Sequence, residues 1–266
     1  MNIVVCVKEV ADPEAPFDSF RVDTERKVIF ASPSVMRVLS PFDEQAVEAA
    51  LRIKDKMEAK VSVISLGNKL DRVVVKKPLL MGADELFLLE DEAFEGGDSF
   101  STAYALTSAI KKIGSYDLVL CGRQSADTNA GQVGAGIAYF LGIPLVTVAR
   151  KIDVSDGKAR VEKVVSDGYE VVETTLPCVI TVSSELGQPR YPSIHNIRRA
   201  NELKPIIWKP ADIGLDPSLC GKKGSKLHLL NLFQPVYESS CHIIEGDTPV
   251  EAAHNLALRL RTERII

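Results

Sequence analysis

Short apolar runs that return at intervals suited to crossover helices are the strongest constraint on how this chain can fold. Ile3 to Val7, Val61 to Leu66, Leu86 to Leu89 and Leu118 to Cys121 are rich in Val, Ile and Leu, and Leu145 to Ala149 gives one more such run. Between them lie helical patterns. Ser40-Pro41-Phe42-Asp43-Glu44 reads as a helix start, with Ser40 as N-cap and Pro41 in the first turn. That helix extends to about Met57, with Ala46, Val47, Ala50, Leu51 and Ile53 as its apolar stripe. Asp71 to Met81 reads as helix despite Pro78, and Thr102 to Ile113 as another, with Asp98 or Ser99 as its N-cap. The sequence therefore predicts an α/β fold, a mostly parallel sheet with helices on both faces.

After residue 150 the pattern changes. Ala159 to Val165 and Tyr169 to Thr175, joined by Ser166-Asp167-Gly168, read as an added antiparallel hairpin. Phe20 to Phe30 is compatible with a second, shorter one. Pro177 to Val182 is an apolar strand followed by a polar segment, Ser183 to Asn196. The last part of the chain carries Pro205, Pro210, Pro217, Pro235 and Pro249 with one clear helix, Pro249 to Arg261. Such an extended C-terminal tail cannot form a core alone and is expected to pack on this domain or on a partner subunit. The division read from this is an α/β nucleotide-binding domain, residues 1–205, and an association arm, residues 206–266.

The run Leu118 to Cys121 empties into a loop of small polar residues, Gly122 to Gly134, before a helical pattern at Ile137, Ala138, Phe140 and Leu141. A strand that ends in such a loop and restarts as a helix gathers free backbone N–H groups at a positive dipole end, which suits phosphate. No Gly-Lys-Ser/Thr follows, and Gly122, Gly131, Gly134 and Gly136 miss the dinucleotide spacing. Spacing alone leaves a nucleotide and an ordinary polar connection both open.

Composition narrows the classes of partner. A net charge of −4 and a pI near 5.7 give no electrostatic reason to expect nucleic acid. No apolar run is long enough for membrane insertion, and the first residues enter a strand without a signal-peptide pattern. Five scattered cysteines without a Cys-x-x-Cys pair point to a reducing compartment, and the cytoplasm is the expected location. The four histidines lack metal-ligand spacing.

Five ordered blocks together are more specific than any one. They are Val4-Val-Cys-Val-Lys8; Ser40 to Glu44 with Ala46, Val47, Glu48 and Ala50; Leu80-Met-Gly-Ala-Asp84; Asp117 to Gly134; and Leu176 to Thr181 with Pro189-Arg-Tyr-Pro192. Through them the chain resembles the β subunit of electron-transfer flavoprotein over essentially its whole length. The resemblance implies an α/β subunit that pairs with an α subunit carrying the electron-transferring FAD. It also implies a nucleotide pocket in the β subunit, holding AMP in the housekeeping type and a second FAD in the electron-bifurcating type of anaerobes. By motif, that pocket is lined by Cys6, Ser40, Pro41, Phe42, Asp43 and Leu66. The loop adds Gly122, Arg123, Gln124, Ser125, Ala126, Asp127, Thr128, Asn129, Ala130, Gly131, Gln132, Val133 and Gly134.

In this likeness the backbone of Ala130 to Val133 meets phosphate, Asp127 and Asn129 hold loop or ribose hydroxyls, and Gln132 is a polar contact. Arg123, Gln132-Val133-Gly134 and the stretch Phe94 to Thr102 are similar to the bifurcating type, whereas Thr128-Asn129 departs from it. A planar, permanently charged guanidinium at Arg123 suits a flavin or diphosphate better than a lysine does. The resemblance thus favours FAD over AMP, with NADH as substrate. Electrons would then pass to ferredoxin and, through the α-subunit flavin, to a flavin-dependent dehydrogenase of acyl-CoA or 2-hydroxyacid type. The same likeness assigns Glu185, Leu186, Gly187, Gln188, Pro189, Arg190 and Tyr191 to dehydrogenase docking. Leu186 is expected as an exposed apolar anchor, with Arg190 and Tyr191 bracing the base of the loop.

Overall fold

In the computed structural model, which describes residues 1–235 and 241–266, the apolar runs become neighbouring strands of one sheet. The first half runs β1 (Asn2–Val7), β2 (Glu9–Ala11), β3 (Phe20–Asp23), β4 (Val28–Ala31), β5 (Arg37–Leu39) and α1 (Pro41–Lys54). It continues with β6 (Lys60–Gly67), α2 (Arg72–Val75), α3 (Lys77–Met81), β7 (Glu85–Glu90), α4 (Ser99–Ile113), β8 (Leu118–Gly122) and α5 (Val133–Leu141). Then come β9 (Leu145–Ser155), β10 (Lys158–Val165), β11 (Gly168–Thr175), β12 (Cys178–Val182) and α6 (Ile194–Glu202). Last are β13 (Ile206–Trp208), α7 (Gly221–Gly224) and α8 (Pro249–Thr262).

Nine strands form the main sheet in the order β11-β10-β9-β12-β8-β1-β6-β7-β13. The pairs from β9 to β13 in that order are parallel, and β10 and β11 extend the sheet antiparallel to β9. Strand β1 shows why its residues are all apolar. Ile3, Val5 and Val7 join the cluster with Val47, Ala50 and Leu51 of α1, while Val4 and Cys6 join the other with Ala109 and Ile110 of α4 and Ile137 of α5. Successive side chains point to opposite faces, and both faces are covered. Two short antiparallel pairs, β2–β5 and β3–β4, stand apart from this sheet. No helix among the described residues is long and apolar enough to cross a membrane.

Three local expectations change. The helix read over Asp71 to Met81 is two short helices broken at Lys76. Pro78 lacks the N–H that would continue the ladder and restricts the residue before it, so it sits instead in the first turn of α3. Ser40 is the N-cap of α1, but its hydroxyl makes no cap bond; its carbonyl accepts the N–H groups of Asp43 and Glu44. The segment after Pro205 is not uniformly extended. Strand β13 pairs with β7, and Ile213, Leu215 and Cys220 enter the core beside α4, whereas α8 buries no residue of its own.

Candidate functional site

From β1 the chain passes through α1 to β6 on one side, and β8 lies on the other, so the connections diverge between β1 and β8. Ligands of open α/β sheets sit outside the carboxyl ends of the strands at such a switch point. Here a cleft of about 710 Å³ opens over the carboxyl ends of β1, β6 and β8. It brings together Cys6, Asp43, Leu66, Gly122, Arg123, Gln124, Ser125, Asp127, Thr128 and Ala130 to Gly134.

Asp43 ties its floor together. The buried carboxylate accepts the backbone N–H of Lys8 (2.8 Å) at the end of β1 and of Gly122 (3.1 Å) at the end of β8. Burial raises its pKa from 3.8 to about 7, against the pull of those two bonds. Gly122 must be glycine for this contact, since a Cβ would lie 2.5 Å from Asp43 Oδ1 and 2.8 Å from the Phe42 carbonyl carbon.

The loop is held by its own side chains. Gln124 donates to Asn129 Oδ1 (2.9 Å), Ser125 and Thr128 share a hydroxyl–hydroxyl bond (2.8 Å), and Lys8 Nζ meets Asp127 Oδ2 (2.6 Å). Asn129 adopts φ 51°, a left-handed conformation that Asn tolerates. Gln132 stands at the start of α5 without a side-chain cap bond, and the first N–H groups of α5 have no intrahelical partner by helix geometry. Arg123 anchors its backbone N–H on Val182 (2.8 Å) and lays its guanidinium 4.8 Å from the ring centroid of Phe42. Its Nε is buried and has no partner among the described residues.

Not all motif residues reach the cleft. Ser40, Pro41, Phe42, Ala126 and Asn129 are absent from its lining: Ser40 is buried at the N-terminal end of α1, Phe42 backs Arg123, and Asn129 braces the loop. Conversely, Lys8, Arg37, Lys69, Phe94 to Ser99 and Leu227 line it. The likeness of Phe94 to Thr102 marked one of these stretches, and the carboxyl-end rule reaches Lys8 and Lys69. Asp98 caps α4 through Ser101 N–H (2.9 Å), as read, and also accepts the N–H groups of Lys226 (2.6 Å) and Leu227 (2.9 Å). Nothing in the sequence around Leu227 signals that bond.

The segment Glu185 to Tyr191 lies apart, over the carboxyl-terminal half of α1. Leu186 is not an exposed anchor: it is 8% exposed and packs into the α1-side core, because the 3₁₀ turn at Ser184–Leu186 folds it inward. Tyr191 does not brace the loop, being 89% exposed. Arg190 does. Its Nε donates to the buried Glu48 (2.8 Å) and its terminal nitrogen to Asp55 (2.7 Å), while Arg52 links Glu48 (2.8 Å) to the Leu186 carbonyl (2.8 Å). Burial opposes the charge on Glu48, but these arginine bonds hold its carboxyl below the usual range. Gly187 turns the chain at φ 104° and Gln188 is exposed.

A family model described as electron transfer flavoprotein domain matches residues 28–212. The chain is 39% identical over 267 residues to the electron transfer flavoprotein subunit beta of Thermoanaerobacterium thermosaccharolyticum, covering 100% of both. It is equally 39% identical, over 267 residues and all of both chains, to the caffeyl-CoA reductase-Etf complex subunit CarD of Acetobacterium woodii. With protein FixA of Azorhizobium caulinodans it shares 35% identity over 88% of this chain and 85% of the relative.

Proposed function

The chain belongs to the electron transfer flavoprotein family, as a β subunit, and on that premise we propose that its cleft holds FAD and serves flavin-based electron bifurcation from NADH. The observation that carries the choice of ligand is Arg123. A buried guanidinium nitrogen without a partner is costly unless a ligand satisfies it, and a planar donor fork held over the Phe42 ring suits a flavin edge or a diphosphate. The cleft volume falls within the ~300–1,000 Å³ of small-molecule sites.

In this reading the N–H groups of Ala130 to Val133 meet phosphate at the positive end of α5, and Leu66, Leu70, Phe94 and Leu106 give apolar cover. Gln132, free of a capping bond, is the polar contact. Asp43 keeps the strand ends in register beneath the ligand, and the Lys8–Asp127 pair holds the loop over it. FAD, when bound, supplies two-electron oxidation of NADH and one-electron delivery to ferredoxin and, through the flavin of an α subunit, to a dehydrogenase; the protein supplies position and electrostatics.

The partner set follows from the same likeness. The Acetobacterium relative is named as a subunit of a complex joining Etf and a caffeyl-CoA reductase, which supports a flavin-dependent dehydrogenase of acyl-CoA or 2-hydroxyacid type as partner here. Glu185 to Tyr191 is proposed as its docking segment, with Tyr191 and Gln188 as exposed contacts and Leu186 as the buried pin of the turn. Denaturing the purified heterodimer and counting released nucleotide tests the central reading. Two FAD and no AMP per heterodimer support it; one FAD and one AMP overturn it in favour of a structural AMP with redox chemistry confined to the α subunit.

A further inference from the structure

We propose that Cys6 and Cys121 form an oxidisable dithiol on the floor of the cleft, closed to a disulfide by hydroperoxides and shielded by a bound nucleotide. The two residues are register partners on adjacent parallel strands, β1 and β8. Neighbouring strands lie ~4.8 Å apart, inside the ~4.4–6.8 Å Cα separation that a disulfide spans. Partners at one register position point to the same face, and both cysteines belong to the same apolar cluster. Both also line the cleft, at 6% and 5% exposure, whereas Cys178 and Cys220 are buried away from it and Cys241 is exposed elsewhere.

A third relationship gives the pair an order of reaction. A Cβ on Gly134 would lie 3.9 Å from Cys121 Sγ, so this sulfur sits beneath the first turn of α5. The neighbouring Cys6 thiol and burial push the Cys121 thiol well up, so Cys121 keeps its proton. Cys6 is then the attacking sulfur. The Cys6 sulfur gives up its proton and takes the distal oxygen of a hydroperoxide, ROOH; the O–O bond breaks, the sulfur becomes a sulfenic acid, and the proton leaves with the alkoxide as ROH. Cys121 sulfur attacks that sulfenic sulfur, the S–S bond forms, and the hydroxyl leaves with the Cys121 proton as water. Two thiols lose two electrons and two protons, and the O–O bond is reduced by two electrons.

The shielding half of the proposal rests on the nucleotide reading of the cleft; the dithiol half does not. The purified heterodimer, as isolated and after its nucleotides are stripped, is treated with hydrogen peroxide, alkylated, digested without reductant and weighed by mass spectrometry. A Cys6–Cys121 linked peptide in the stripped protein, removed by dithiothreitol, supports the dithiol. At a nucleotide concentration about ten times its Kd, linkage slows about tenfold if the ligand covers the sulfurs. Phenylarsine oxide gives an independent measure of proximity, one arsenic bridging both sulfurs with loss of water. No linked peptide and no bridged arsenical in stripped protein overturns the dithiol, whatever the nucleotide count. Linkage at an unchanged rate under saturating FAD or AMP overturns the shielding.

Discussion

The carboxylate of Asp43 accepts the backbone N–H of Gly122 at 3.1 Å, which bolts the first turn of α1 to the carboxyl end of β8. The bond crosses the point where the strand connections diverge, so the position of the whole Gly122 to Gly134 loop depends on it. Gly122→Ala would place a methyl 2.5 Å from Asp43 Oδ1 and against the Phe42 backbone. The expected cost is ~1–3 kcal/mol of unfolding free energy together with loss of bound nucleotide. A urea titration and a nucleotide count on the variant check both; an unchanged midpoint rejects the contact.

Asp43 also gives a pH dependence of defined sign. Burial raises its folded pKa from 3.8 to about 7. The folded state therefore binds an extra proton across that window, and stability falls as pH rises through it and levels off above. Other carboxylates, such as Glu48 and Asp84, are held low and push the other way near the acid end. Asp43→Asn isolates the effect. Between about pH 5 and about pH 8 the wild-type midpoint should drop by more than that of the variant; equal drops would show that Asp43 does not titrate there.

Arg123→Lys keeps the charge and removes the planar fork. Nucleotide retention should weaken by about tenfold, equivalent to ~1.4 kcal/mol, with the unfolding midpoint nearly constant because the backbone bond to Val182 is untouched. Equilibrium dialysis against the bound nucleotide reads the first quantity and denaturant unfolding the second. Retention equal to wild type would remove Arg123 from the ligand site.

The proposed docking segment, Glu185 to Tyr191, allows pinning to be separated from contact. Arg190→Ala strips the buried Glu48 of one of its two arginines and should cost ~1–3 kcal/mol. Leu186→Ala empties a core position and should cost ~2–5 kcal/mol. Tyr191→Ala, at 89% exposure, should leave stability within ~0.5 kcal/mol. Electron transfer to the dehydrogenase, measured at constant nucleotide content, should nevertheless slow in Tyr191→Ala. An unaffected rate would move the docking surface elsewhere.

How much of this could be read beforehand depended on whether the deciding force was local. The apolar runs at Ile3–Val7 and Leu118–Cys121, the cap at Asp98 and the hairpin around Gly168 all appear where periodicity and turn chemistry put them. Pro78 was legible as an obstacle, yet whether a helix bends or breaks around a proline depends on what the two pieces pack against. Leu186 shows the limit more clearly. Its neighbours Ser184, Glu185 and Gln188 read as a solvated loop, but Arg52, far back in the sequence on α1, takes its carbonyl and leaves the leucine facing the core.

By itself, then, the sequence determined the α/β class, the core strands and helices up to Val182 in their chain order, though not α6 or β13, and a polar βα loop suited to phosphate. Those follow from side-chain period, caps and turn residues, which act over a few neighbours. Tertiary structure alone decided that Asp43, Lys8 and Gly122 share one carboxylate, that Arg123 rests on Phe42 with an unsatisfied nitrogen, and that Cys6 faces Cys121. These are contacts between residues 35 to 115 positions apart, fixed by strand order and register. No local pattern specifies them, because they exist only once the buried faces of the sheet have chosen their neighbours.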